Sequence, residues 1–310
     1  MTQSFHQNKT VKEQIWTGRL LKALVVLFSW MPFRLTSWIG SGIGYLLYWL
    51  PNSNKTIVQK NLAVVYPELT HLERKRLVKQ VLIESGKVTV ETGAAWCWSY
   101  ERLRPLIKEV KGQALLDQAI AQKKGIMFLA PHMGNWEMIG PFLSAQYPST
   151  FLYRPPNVPS VESFMVKARA RFGATLAPTD IRGVRTLIKA LKNREITVIL
   201  PDQDPGESGG VYAPFYNRPA RTMTLVSKLI QKTDCAVLFM VVKRLPNAQG
   251  FCLHYLPADP NIASQDELKA TTALNQGVEN CIQLATEQYL WAYKRYRKPP
   301  EGLQDIYKSK

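Results

Sequence analysis

Beyond Gly112 the chain alternates short strand-like runs with helix-length amphipathic stretches, a texture that few folds accommodate. Ile126 to Ala130, Thr150 to Tyr153, Ile196 to Leu200, Ala236 to Val242 and Phe251 to Leu256 have the length and apolar content of strands. Between most of them lie Val158 to Phe172, Ile181 to Asn193 and Met223 to Gln231, which read as helices. That alternation predicts an α/β domain, a sheet with helical cover. A further helical stretch starts near Gln265 and leads into the basic, aromatic ending Trp291-Ala-Tyr-Lys-Arg-Tyr-Arg-Lys298. Upstream, Thr70-His71-Leu72-Glu73 has the capping-box pattern, so a helix begins there and runs to about Gly86. At 310 residues and 46% hydrophobic, the chain holds enough material for one large domain or two small ones and is not disordered, collagenous or repetitive.

From Leu20 to Leu50 the sequence is very apolar, but Lys22, Pro32 and Arg34 divide it. The charge-free piece from Leu35 to Leu50 falls short of the roughly 20 residues that a bilayer span needs. Trp38, Tyr45, Tyr48 and Trp49 suit a membrane–water interface, which favours a membrane-associating segment over a pair of core helices. The run ends in Tyr48-Trp49-Leu50-Pro51 rather than in small residues, so it is expected to be retained and not cleaved as a signal peptide. Basic residues flank it on both sides (Lys9, Lys12 and Arg19; Lys55 and Lys60), a balance that fits spanning and lying flat equally. The expected division is a membrane-associating helical segment over residues 1–50 and an α/β domain over residues 51–310.

A net charge of +17 calls for anionic partners: nucleic acid, anionic lipid or an acidic protein. Tyr293-Lys-Arg-Tyr-Arg297 could serve as a nucleic-acid contact, but no recognition motif accompanies it, so no nucleic-acid partner is expected. Cys97, Cys235, Cys252 and Cys281 stand far apart with no histidine at ligand spacing, so the expectation is no metal and no disulfide framework.

Four histidines make the search for a general base short. His6 lies near the terminus, His71 in an exposed helical turn and His254 inside an alternating strand, where a structural role fits best. His132 follows directly on the strand ending at Pro131, at the carboxyl end where open α/β sheets place their ligands. Glu137 is five residues on, about 140° around a regular helix, so the two face each other only if Gly134 turns the chain and Asn135 caps a helix carrying Glu137. On the residues alone, a catalytic dyad stands beside a structural turn histidine. Gly206-Glu-Ser-Gly-Gly210 matches the nucleophile-elbow pattern, yet no strand runs into Ser208 and no helix leaves it, which argues for a flexible loop.

The segment Ala130-Pro-His132-Met-Gly-Asn-Trp-Glu137 resembles the H-x4-[D/E] signature of the lysophospholipid acyltransferase superfamily, in the form used by its lipid A late-acyltransferase branch. Further blocks agree in order: Asn61-Leu62 with Tyr66-Pro-Glu68, Tyr153-Arg-Pro-Pro-Asn157, Leu200-Pro-Asp-Gln-Asp-Pro-Gly206, Gly210-Val-Tyr-Ala-Pro-Phe215 and Gln288 to Arg297. The resemblance covers most of the chain. It implies a central mixed sheet covered by helices, similar to glycerol-3-phosphate acyltransferase. It implies transfer of a fatty acyl group from an acyl-carrier-protein thioester to the hydroxyl of a 3-hydroxyacyl chain on a lipid A precursor, at the cytoplasmic side of the inner membrane. Acceptors among other glycolipids or lysophospholipids are the alternative. By matching positions, His132 is the base, Glu137 its orienting carboxylate, and Asn135, Arg154, Arg169, Asp202 and Asp204 contact substrate. No cofactor is implied beyond the carrier-protein co-substrate, and anionic inner-membrane lipid joins the expected partners. For the oxyanion, backbone N–H groups near Gly134 and Asn135 or an arginine are the candidates. Direct attack on the thioester is expected, without an acyl-enzyme.

Overall fold

The computed structural model describes residues 11–153 and 159–308. Five helices come first: α1 (Val11–Ser29), α2 (Phe33–Trp49), α3 (Ser53–Val65), α4 (His71–Cys97) and the single turn α5 (Tyr100–Leu103). Pro32 sits at the start of α2, where its missing N–H costs nothing, and so separates α2 from α1. Thr70 opens α4 with the expected box: its hydroxyl accepts from the Glu73 amide, and the Glu73 carboxylate accepts from the Thr70 amide at 2.9 Å. The helix continues to Cys97, past the stop expected at Gly86, because Gly86 is a contact point and not a terminus. A Cβ there would strike the backbone of Gly40 in α2, and one on Gly44 would strike Ile83 in α4. Small residues thus let α2 and α4 pack backbone to backbone.

The α/β part contains β1 (Ile107–Lys111), α6 (Gln113–Ala121), β2 (Ile126–Leu129), α7 (Ile139–Ser144), β3 (Ser149–Tyr153), α8 (Pro159–Ala170) and β4 (Thr175–Pro178). It goes on through α9 (Ile181–Lys192), β5 (Ile196–Ile199), the antiparallel pair β6 (Gly210–Phe215) and β7 (Arg218–Met223), α10 (Leu225–Thr233), β8 (Ala236–Arg244), β9 (Phe251–Pro257) and α11 (Glu267–Ile282). Seven strands form one sheet in the order β1-β9-β8-β2-β5-β3-β4, parallel throughout except between β8 and β9. The predicted mixed sheet with helical cover is therefore the observed fold class. β2 (IMFL) and β5 (ITVI) are buried along their whole length, as the continuous apolar runs of central parallel strands require. Successive side chains of β2 enter opposite cores. Met127 and Leu129 join residues of α3, α9, α10 and α11, whereas Ile126 and Phe128 join residues of α6, α7 and the end of α4.

Among the described residues, no helix is long and apolar enough to cross a membrane. The first two helices nonetheless show apolar stripes to the outside. Leu35, Trp38, Tyr45 and Trp49 recur on α2, and Trp16, Leu20, Leu24 and Leu27 on α1, at three- and four-residue steps (seven between Trp38 and Tyr45), with Trp30 at the turn between the helices.

Candidate active site

The register of the two central strands builds the site. Leu129 of β2 lies beside Ile199 of β5 in a parallel pair, so residues three positions beyond each strand, His132 and Asp202, emerge side by side at the carboxyl edge. There the Asp202 carboxylate accepts twice from His132: from the backbone N–H at 3.0 Å and from ring Nδ1 at 2.8 Å. Burial pushes the Asp202 carboxyl up, but the imidazole and amide of His132 outweigh it and hold the group below the ordinary carboxylate range. An ionised carboxylate only accepts, so in the neutral ring the proton sits on Nδ1 and the lone pair on Nε2. Gln203 Nε2 lies 3.3 Å from that atom, and Trp136 stands edge-on to the ring at 5.3 Å between centroids.

The loop after His132 is fastened from behind. Gly134 has φ of +58°, and a Cβ on it would collide with the Val242 carbonyl, so both the turn and the close approach need glycine. Its amide donates to the Gln288 carbonyl at 3.0 Å, the Asn135 amide to Val242 at 2.9 Å, and the Leu290 amide to the His132 carbonyl at 2.9 Å. The expected turn at Gly134 is thus present, but the two backbone donors proposed for an oxyanion are already engaged. Asn135 also differs from expectation. Its side chain caps no helix and lies buried, donating to Glu91 at 3.1 Å and facing away from the cleft.

The Glu137 carboxylate makes no hydrogen bond to His132, although the charge of the imidazole still acts on it. The carboxylate accepts from Trp96 Nε1 at 2.8 Å and from Arg169 Nε and Nη2 at 3.1 and 2.5 Å. Burial pushes its carboxyl up, and the Arg169 guanidinium more than offsets this, holding it below the ordinary range. The physical reason is geometric: Trp136–Met138 forms a 3-10 turn that presents Glu137 toward α4 and α8 while the ring of His132 faces β5. Arg169, its guanidinium paired with Glu137, lines the same cleft. Asp204 also reaches it, its carboxylate accepting from Arg297 Nε and the Gly206 amide, both at 2.8 Å. Arg154 lies outside the described residues. His254 is buried within β9, in keeping with a structural role, and Ser208 sits in a loop between strands rather than at an elbow. Sequence reasoning missed Gln203, Arg297 and Trp96, and it missed the pairing role of Asp202. The equal offset of His132 and Asp202 from two apolar four-residue runs was the available signal for the last.

These groups open onto one cleft of about 1190 Å³. His132, Glu137, Arg169, Gln203, Asp204 and Arg297 are among its polar lining. Ile139, Phe151, Leu176, Val184, Val198 and Leu225 are among its apolar walls, and none of the four cysteines borders it. An imidazole held by a carboxylate, a paired guanidinium and a cleft with apolar walls suit a reaction between a hydroxyl and an activated acyl group.

A family model described as bacterial lipid A biosynthesis acyltransferase matches residues 4–298. The chain is 29% identical over 293 residues to a lipid A biosynthesis lauroyltransferase of Escherichia coli (strain K12), covering 94% of each chain. It is 29% identical over 289 residues to a lipid A biosynthesis palmitoleoyltransferase of the same organism, covering 92% of each. A lipid A biosynthesis acyltransferase of Haemophilus influenzae is 27% identical over 282 residues, covering 89% of each.

Proposed function

The chain belongs to the bacterial lipid A biosynthesis acyltransferase family, and on that premise we propose that it is a late acyltransferase, moving a fatty acyl group from an acyl-carrier-protein thioester to the hydroxyl of a 3-hydroxyacyl chain on a lipid A precursor. The observation that carries this reading is the His132–Asp202 pair, whose Nε2 side opens onto a cleft with apolar walls. In the proposed step, Nε2 takes the proton of the acceptor hydroxyl as its oxygen attacks the thioester carbonyl. The tetrahedral intermediate places negative charge on the former carbonyl oxygen, where the Gln203 amide, beside the imidazole, and Arg169 are candidate side-chain donors. Collapse expels the carrier thiolate, which recovers the proton from the imidazolium. General-base assistance of this kind supplies about 10²–10⁴-fold. Glu137 serves by holding Arg169 in place.

The carrier protein is acidic, and α9 offers it a cationic edge. Arg182, Arg185, Lys189 and Lys192 are exposed at three- and four-residue steps, beginning where Asp180, Ile181 and Val184 form the lip of the cleft. A defined tetra-acylated precursor incubated with carrier-protein thioesters of several lengths should gain one acyl chain by mass spectrometry. The rate at subsaturating donor should fall steeply as salt rises from about 0.01 to 1 M, over which the screening length shrinks about tenfold. The absence of product with every donor would sink the proposal, and product on a lysophospholipid alone would reassign the acceptor.

The outward apolar stripes support attachment in the interface of the inner membrane, lying flat on its cytoplasmic face. Trp30 is 76% exposed, Trp49 74% and Trp38 69%, far more than a helix packed on protein would leave. Replacing all three by serine should lower partitioning onto anionic vesicles by on the order of 10²-fold or more, since a large apolar side chain withdrawn from water contributes about 1.5–3 kcal/mol. Co-sedimentation measures this. Unchanged binding would show that another surface meets the membrane.

A further inference from the structure

We propose that Gly140 is the position at which this enzyme limits the length of the acyl chain it accepts, an inference that rests on the acyl-transfer reading above. Gly140 lies in α7 and lines the cleft with Ile139, Phe151, Leu176 and Val198. A Cβ built on it would meet nothing within 4 Å. Most helical glycines of the described residues have an evident packing reason. A Cβ on Gly40, Gly44, Gly86 or Gly183 would strike neighbouring backbone, and one on Gly277 would strike the ring of Phe239. Gly42 also has open space, but it lies on the exposed side of α2. Gly140 alone combines a helical position, open space and the cleft wall.

Its place along the cleft gives the space a use. Trp136, four residues earlier, stands against the His132 ring and lines the same cleft. The chain passes from a 3-10 turn, with about 2.0 Å of rise per residue, into α-helix, with about 1.5 Å, so Gly140 is roughly 7 Å further along. A thioester whose carbonyl faces the hydroxyl held at Nε2 of His132 has its first carbons beside Trp136 and its later ones passing residue 140. A side chain there would occupy room that only the longer chains need. Pro141 supplies a second reason for glycine, because its ring crowds the Cβ of the preceding residue in helical backbone. The experiment must separate the two.

Gly140→Ala and Gly140→Leu, each alone and with Pro141→Ala, should be compared with wild type and Pro141→Ala on carrier-protein thioesters from C8 to C16. The ratio of kcat/KM for the longest to the shortest donor should fall on the order of 10-fold for Ala and 10²-fold for Leu, with the product mass moving to shorter chains. Short-chain turnover should stay near wild type. Calorimetric titration with decanoate and myristate reads the same ratio without turnover. A length ratio unchanged by Gly140→Leu in both measurements, or a loss uniform across lengths, overturns the assignment. Wild-type enzyme that acylates the precursor while the ratios stay fixed leaves the acyl-transfer reading standing. Wild-type enzyme that transfers no chain of any length removes that reading as well.

Discussion

Asp202→Asn should lower the turnover number by roughly 10⁴-fold while the protein stays folded, the size of loss met in serine-protease triads when the carboxylate behind the catalytic histidine becomes an amide. Both carboxylate oxygens of Asp202 accept from His132, one from Nδ1 and one from the backbone amide. Asparagine keeps one oxygen acceptor but replaces the other with an NH₂ donor. When the oxygen stays with the backbone N–H, the NH₂ group faces Nδ1, which must then accept, and the ring proton moves to Nε2 where the base is needed. His132→Ala should lose at least the 10²–10⁴-fold that general-base assistance supplies. Glu137→Gln tests the rival pairing. It weakens the ion pair with Arg169 but leaves the imidazole tautomer alone, so its effect should fall mainly on KM. Steady-state kinetics on the three variants decide: a near-normal rate for Asp202→Asn, with a 10⁴-fold kcat loss for Glu137→Gln, would return the orienting role to Glu137.

Why the eye falls on Glu137 and passes over Asp202 is a matter of distance along the chain. A motif advertises neighbours five residues apart, whereas the pairing of β2 with β5 joins positions 70 residues apart in sequence. The central strands themselves were legible because full burial forces continuous apolar runs. The edges were not. β1 reads IKEVK and is mostly exposed, and β4 reads TLAP, so neither carries the alternation that marks a half-buried strand. The β6–β7 pair sets Pro214 opposite Pro219, and prolines in sequence argue for loop. Asn135 misled for the opposite reason. A polar residue inside a catalytic motif suggests a ligand, but whether it faces the cleft or the core depends on Glu91, which belongs to a helix of the N-terminal third. His132 was found by elimination, since the other histidines had better structural explanations.

Removing Glu91 should cause a large stability loss, about 3–5 kcal/mol for Glu91→Ala, because it takes from a buried guanidinium the carboxylate that its Nε and Nη2 groups reach and leaves Glu84 alone to face it. Glu91 is fully buried and Arg244 is 3% exposed. Arg244 Nη2 and Nε donate to Glu91 at 2.6 and 2.9 Å, and Nη1 donates to Glu84 at 2.7 Å. Burial alone would lower the guanidinium's affinity for its proton, and the two glutamates more than reverse that. The backbone of Arg244 is clamped as well, its amide donating to Gln288 and its carbonyl accepting from it at 2.8 and 3.0 Å. Through Asn135 the same carboxylate ties α4 to the loop that carries His132. A shift in urea midpoint equivalent to less than 1 kcal/mol for either Glu91→Ala or Arg244→Ala would show that water or a rearranged partner relieves the charge. The double variant Glu91→Leu with Arg244→Met separates stability from positioning. Exchanging a buried ion pair for apolar groups of similar size is often neutral, so much of the lost stability should return. The Asn135 amide would still lack its acceptor, at about 1–3 kcal/mol for an unsatisfied buried donor. The doubly substituted enzyme should therefore fold and yet turn over more slowly than wild type, because the loop behind His132 has lost the contact that fixes it. Full recovery of rate together with stability would assign the network to folding alone.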